Sequence, residues 1–239
     1  MLNDASPVLN PPARVIVAGG GSAEDQWPID QQFASWLDPH DSILYLPIAM
    51  QDQQAQDAYA DSWEWIHQTL APFGRTNIHM WTSLAGKTAH DLAQFDAVYI
   101  GGGNTYWLLH QLRVHRLEAA LGNFIRRGRP VYGGSAGAIL LGRDIQTCAH
   151  LDDNAVGLID THGLDMLCGY AIWCHYQPGD VQRIAAFMAA QAMPVLALSE
   201  RAGVCRDGSR LTAVGYEAVT CFTGAGQTVF GVGELISAI

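Results

Sequence analysis

The sequence predicts an α/β protein with a mainly parallel sheet covered by helices on both faces. Three observations carry that expectation. Short, wholly apolar segments alternate with helical ones, the pattern of strands buried on both sides. Glycine runs at Gly19-Gly20-Gly21, Gly101-Gly102-Gly103 and Gly133-Gly134 each stop one of those segments, as turns at the carboxyl edge of a parallel sheet do. From Pro194 onward the strands become short and punctuated by glycine, which marks antiparallel hairpins at one edge.

After a proline-bearing leader ending at Pro12, residues 14–18 form the first apolar strand and residues 42–47 the second. A helix rich in alanine and tryptophan is expected over residues 55–70, and a third strand over 77–81. Residues 95–100 make a fourth strand, followed by helices over 105–112 and 117–127. Residues 130–132 lead as a strand into Ser135, and a helix continues from Ala138. An apolar run ends at His175, residues 194–198 form a buried strand, and residues 203–206, 210–214 and 229–232 are short edge strands. No linker, composition break or internal repeat divides the 239 residues, so one domain over residues 1–239 is expected.

Composition narrows the function. The net charge is −10, Lys87 is the only lysine, and Arg126-Arg127-Gly128-Arg129 reads as a helix end, so a nucleic-acid partner is not expected. Cys148, Cys168, Cys174, Cys205 and Cys221 contain no CxxC pair and read as reduced thiols. The first residues lack a basic and apolar leader, and no apolar run approaches membrane-spanning length. A cytoplasmic protein with no membrane partner is the expectation.

Gly133-Gly134-Ser135-Ala136-Gly137 carries the chemistry. Gly-x-Ser-x-Gly between a strand and a helix is a nucleophile elbow, a turn too tight for side chains beside the serine. The free N–H groups and positive end of the following helix face the reacting centre. Ala136 supplies one N–H to an oxyanion, and the Gly101–Gly103 turn supplies the second, from Gly102 or else Gly103. Gly19-Gly20-Gly21-Ser22-Ala23-Glu24 is a poor dinucleotide fingerprint, because Glu24 stands where a third glycine is needed. Among nine histidines, His175 at a strand's carboxyl end suits the general base, while His150 and His162 lie in the loop-rich stretch before it. Asp152 is the first choice to orient the imidazole, then Asp153, then Glu200. His150, Asp152, Asp153 and His162 match no metal-ligand spacing, so neither a metal nor another cofactor is expected.

Taken in this order, the pieces resemble peptidase family S51, the group of dipeptidase E and cyanophycinase within the class I glutamine amidotransferase-like fold. The matching residues are Tyr99 to Thr105 with Leu108-Leu109, Gly134 to Ala138, Gly163-Leu164, His175-Tyr176 and Leu198-Ser199-Glu200. The resemblance implies a flavodoxin-like three-layer αβα sandwich, Ser135 as nucleophile, His175 as base and an acid as third member. The family spacing of that acid falls on His150, two residues before Asp152. Dipeptidase E also carries a basic segment after its histidine, linked to a preference for N-terminal aspartate. Here residues 177–183 replace it, so that preference is not carried over. The expected function is a serine peptidase acting on small peptides, with a homodimer left open and a non-catalytic binding or interaction protein as the alternative.

Overall fold

Strands with no polar face must be covered on both sides, and the computed structural model of the protein shows how. It describes residues 13–52 and 58–237, without the side chains of residues 51 and 52. The leader up to Pro12 and the first residues of the helix expected from Ala55 lie outside the described residues.

Five strands pair in parallel: β1 (Arg14–Ala18), β2 (Ile43–Leu46), β3 (Ile78–Met80), β4 (Ala97–Ile100) and β5 (Val131–Gly134). Naming β6 (Ala171–Trp173), β7 (Val195–Ala197), β8 (Ala202–Asp207), β9 (Arg210–Gly215), β10 (Val219–Thr223), β11 (Gly226–Phe230) and β12 (Leu235–Ile236), the eight-stranded order is β12-β9-β8-β1-β5-β4-β2-β3. β8, β9 and β12 extend it antiparallel from β1.

Alternation along each strand sorts side chains onto two faces. Ile16, Ala18, Tyr45, Tyr99 and Tyr132 pack with Ile29 and Phe33 of α1 (Ala23–Ala34) and Ile66 of α2 (Ala58–Leu70). Val15, Val17, Leu44, Leu46, Val98, Ile100 and Val131 face the other way. They pack with α4 (Thr105–Val114), α5 (Glu118–Arg126) and α6 (Ala136–Leu141), the short α3 (Ala89–Leu92) lying between β3 and β4 in the chain. The expected three-layer αβα arrangement is therefore present.

One feature exceeds the expectation of a single sheet. β6 and β7 leave the main sheet and form a second, four-stranded one of order β11-β10-β7-β6, parallel between β6 and β7 and antiparallel beyond. One side of it joins the α6 core through Ile172, Leu196 and Cys221; the other is covered by Ile184 of α7 (Val181–Gln191). The edge strand expected over 229–232 is β11, shifted toward the N-terminus, and its partner β10 is additional.

α1 and α7 had no counterpart in the sequence reading. Pro28 inside α1 argues against a helix, yet a Ser22–Asp25 capping box starts it and its buried face holds it on the sheet. That face includes two polar residues one turn apart, Gln26 and Asp30, which are 2% and 1% exposed. Tyr99 Oη donates to Asp30 Oδ1 at 3.2 Å, and Tyr132 reaches the same carboxyl. The two phenol rings stack at 4.1 Å with an interplanar angle of 13°.

Burial pushes the Asp30 carboxyl up to about 7, the phenol hydrogen bonds only partly opposing it. Between the ordinary aspartate range and pH 7 the folded chain thus holds a proton that the unfolded chain releases. Asp30 therefore costs stability as pH rises through that window, and the full cost applies above it. Asp30→Asn removes that dependence. Urea denaturation of both proteins at pH 5 and pH 8 should show the native chain losing on the order of a few kcal/mol relative to the variant at the higher pH.

Candidate active site

β5 and α6 meet at Ser135, whose backbone is held at φ 50° and ψ −111°, a conformation that side-chain-bearing residues rarely adopt. Its N–H donates to Ala18 O at 3.1 Å and its carbonyl accepts from Ile139 at 3.0 Å, so the turn is pinned to β1 and to the first turn of α6. The flanking glycines permit this close approach. A Cβ on Gly133 would lie 2.5 Å from the Gly137 backbone, and one on Gly137 would lie 2.6 Å from Ile100 O. The elbow read from the sequence is therefore present in the backbone.

His175 follows β6 and is also left-handed, at φ 53°. Its N–H donates to Gly19 O at 3.0 Å, beside the carbonyl that binds Ser135. The imidazole Nε2 lies 2.9 Å from Ser135 Oγ. The far nitrogen, Nδ1, lies 3.2 Å from Glu200 Oε1. A neutral ring protonated on Nδ1 satisfies both contacts, accepting from the serine and donating to the glutamate. The His175 and Glu200 side chains are 31% and 55% exposed, so water reaches this pair.

The acid beside the imidazole is Glu200, third in the expected order, while Asp152, the first choice, is bonded elsewhere. Asp152 Oδ2 accepts the N–H of Thr105 at 2.7 Å, so this carboxylate is spent on the start of α4. Asp153 stands beside it and accepts through its backbone carbonyl, from Asn104 Nδ2 at 2.8 Å. Asn104 Oδ1 in turn caps α4 by accepting from Trp107 N at 2.8 Å. Together the two aspartates clasp the glycine turn that faces Ser135.

On that turn, Gly101 and Asn104 donate to Leu46 O and Ala49 O. Gly102 packs against Ser135, where a Cβ would lie 3.3 Å from Ser135 Cβ and 3.7 Å from its Oγ. A Cβ on Gly103 would instead meet Ala49 O at 2.4 Å. Ala136 opens α6 immediately after Ser135.

His150 stacks on Trp173 at 4.4 Å, and burial against that ring holds its pKa below the ordinary histidine value. His162 pairs with Asp160 at 2.7 Å on the surface. Neither contacts Ser135. Among the described residues no group of three His, Cys, Asp or Glu side chains is placed to hold a metal ion. The cleft over Ser135 and His175 encloses about 600 Å³, with Asn104, Leu151, Asp152, Asp153 and Glu200 in its wall. A second hollow of about 360 Å³, among Tyr45, Met50, Ser62 and Trp65, opens at Gly102 and Gly103.

The sequence model of peptidase family S51 matches residues 15–214, most of the chain. The chain belongs to peptidase family S51. It is 29% identical over 211 residues to peptidase E of Shewanella denitrificans strain OS217, covering 84% of this chain and 83% of that protein. A match to peptidase E of Shewanella baltica strain OS195, also at 29%, spans 141 residues and 59% of that relative's length. A solved peptidase structure from an acI-B1 Actinobacterium has the same fold, with a TM-score of 0.73 at 15% identity over 95% of this chain and 98% of that one. Among the described residues no helix is long and apolar enough to cross a membrane.

Gly20 abuts the Ser135–His175 pair. It sits at φ 104°, and a Cβ there would lie 2.4 Å from His175 Cε1, 2.7 Å from Nε2 and 2.9 Å from Ser135 Cβ. Gly20→Ala is expected to drive the imidazole off Ser135 and to cost about 1–3 kcal/mol for a side chain forced to positive φ. A crystal structure of the variant and its denaturation midpoint check both effects.

Proposed function

We propose that this family member is a working serine peptidase that hydrolyses small peptides, through Ser135, His175 and Glu200. The 2.9 Å contact between Ser135 Oγ and His175 Nε2, made at a strained turn facing an open cleft, carries the reading. His175 takes the serine proton as Oγ attacks the scissile carbonyl. Glu200 fixes the imidazole tautomer and stabilises the imidazolium that forms. Negative charge developing on the carbonyl oxygen is met by the N–H groups of Ala136 and Gly102. The tetrahedral intermediate collapses when His175 returns the proton to the leaving amine. Water then repeats the sequence on the acyl-enzyme.

The charge of the cleft supports a substrate other than an N-terminal aspartyl peptide. Asp152, Asp153 and Glu200 stand in its wall, and among the described residues lining it there is no arginine or lysine. Arg183, the cation nearest in sequence after His175, is paired with Asp180 at 2.9 Å. A carboxylate side chain would meet like charge there, whereas a free amino terminus would be attracted.

Ser135→Ala should lower hydrolysis of a dipeptide panel by several orders of magnitude, on the order of 10⁴ to 10⁶, because such a set of residues acts as a unit. A serine-directed fluorophosphonate should modify Ser135 stoichiometrically in the native protein. Folded protein that takes no label and turns over no peptide would be a binding protein on this fold.

Glu200→Gln should slow turnover by about 100-fold or more. The effect should stay below the roughly 10⁴-fold of a buried orienter, since water shares the contact. Asp152→Asn still presents an oxygen to Thr105 N–H and should remain within about tenfold of native turnover. The reverse ranking in steady-state kinetics would return the orienting role to Asp152.

A further inference from the structure

The Gly19-Gly20-Gly21 turn resembles a phosphate cradle in sequence, but its N–H groups point away from the cleft. With the Gln26 amide oriented as its neighbours require, Gln26 Oε1 accepts from Gly20 N at 2.9 Å and Gly21 N at 2.7 Å. Gln26 Nε2 donates to Tyr132 Oη at 2.8 Å. The side chain is 2% exposed, so each of these bonds is made where water does not compete. Behind it, Tyr132 and Tyr99 share the Asp30 carboxyl.

We propose that Gln26 is a positioning residue of the active site: it fixes the Gly20–Gly21 turn, and that turn sets where the His175 ring lies against Ser135. The inference rests on the Ser135–His175 reading given above. Three observations carry it. A Cβ added at Gly20 would overlap both reacting side chains, so the Gly20 backbone stands close beside the imidazole. The preceding carbonyl, Gly19 O, holds the His175 backbone. The turn's two N–H groups are both satisfied by one buried side chain, whose other end is tied to Tyr132, three residues before the nucleophile on β5.

Gln26 thus bridges the backbone beside the base and the strand that delivers the nucleophile. An apolar residue of the same size would satisfy the packing of α1 equally well and leave the turn's donors unpaired. Retaining a polar group there serves geometry rather than burial.

The test compares Gln26→Met, which keeps the volume and removes the polar atoms, with Gln26→Glu. The glutamate still accepts from both glycines, and its other oxygen takes the single Tyr132 Oη proton, which turns to it from Asp30. Gln26→Met is expected to slow fluorophosphonate labelling of Ser135, and kcat for dipeptides, by about 10- to 100-fold, with KM within about twofold. The backbone amide resonances of Gly20 and Gly21 and the His175 ring resonances should shift together. Gln26→Glu should return labelling to within about threefold of native.

Native labelling and native resonances in a folded Gln26→Met protein would overturn the proposal. So would a loss that tracks the folded fraction and is not recovered by glutamate. If the methionine variant does not fold, Tyr132→Phe cuts the same bridge at its other end. It should shift the same resonances, and their staying in place would count against the proposal equally. Native protein that neither labels nor hydrolyses, while Gln26→Met still moves the His175 resonances, would remove the peptidase reading and leave the positioning role standing.

Discussion

Two consecutive carbonyls at the end of β1 hold the site together. Ala18 O binds the backbone of Ser135, and Gly19 O binds the backbone of His175. The two residues come from different sheets, and both are at positive φ, near 50°. Conformations of this kind cost on the order of 1–3 kcal/mol each and persist only where their surroundings over-determine them. Here the surroundings are β1 in the middle of the large sheet, paired with β5 on one side and β8 on the other. Rigidity of the central strand is what lets a serine and a histidine on separate elements keep a 2.9 Å contact.

Much of this was legible in the sequence, because the signals were local. The fully apolar runs of β1, β2, β4 and β5 admit only a doubly covered sheet. The elbow is written in Gly133, Ser135 and Gly137, whose spacing reflects the close approach of β5 and α6. His175 was identifiable as the end of an apolar run. What escaped were consequences of tertiary pairing. α1 contains Pro28 and a weak apolar pattern, so only its fit to the sheet discloses it. The second sheet depends on register, which no short stretch reveals.

The acid beside the imidazole shows why register matters. β6 and β7 run parallel with Trp173 opposite Ala197, so His175 and Glu200 emerge at the same end, two and three residues further on. Along the chain Asp152 lies between the elbow helix and the histidine strand, two residues past the family-spaced position, which favours it. In space the loop that carries Asp152 crosses to the start of α4 instead. The Leu198-Ser199-Glu200 segment matched the family pattern all along, but nothing in a linear reading ranked it above an aspartate pair close to the expected position. The aspartates retain a task of their own, since the clasp on Asn104 and Thr105 steadies the turn that faces Ser135.

Placing β1 between β5 and β8 also fixes when the site comes into being. The strand is made early in synthesis, yet Gly19 N is not paired until Ala202 arrives, and Ala18 faces Gly203 across the ladder. Glu200 immediately precedes that same late strand. A chain made from its amino end therefore contains Ser135 long before the strand that closes the central sheet and the acid beside the histidine exist. Long-range pairings of this sort are the slow, late contacts of folding. The contacts that join Ser135, His175 and Glu200 are then completed only at the final docking of the carboxyl-terminal strands.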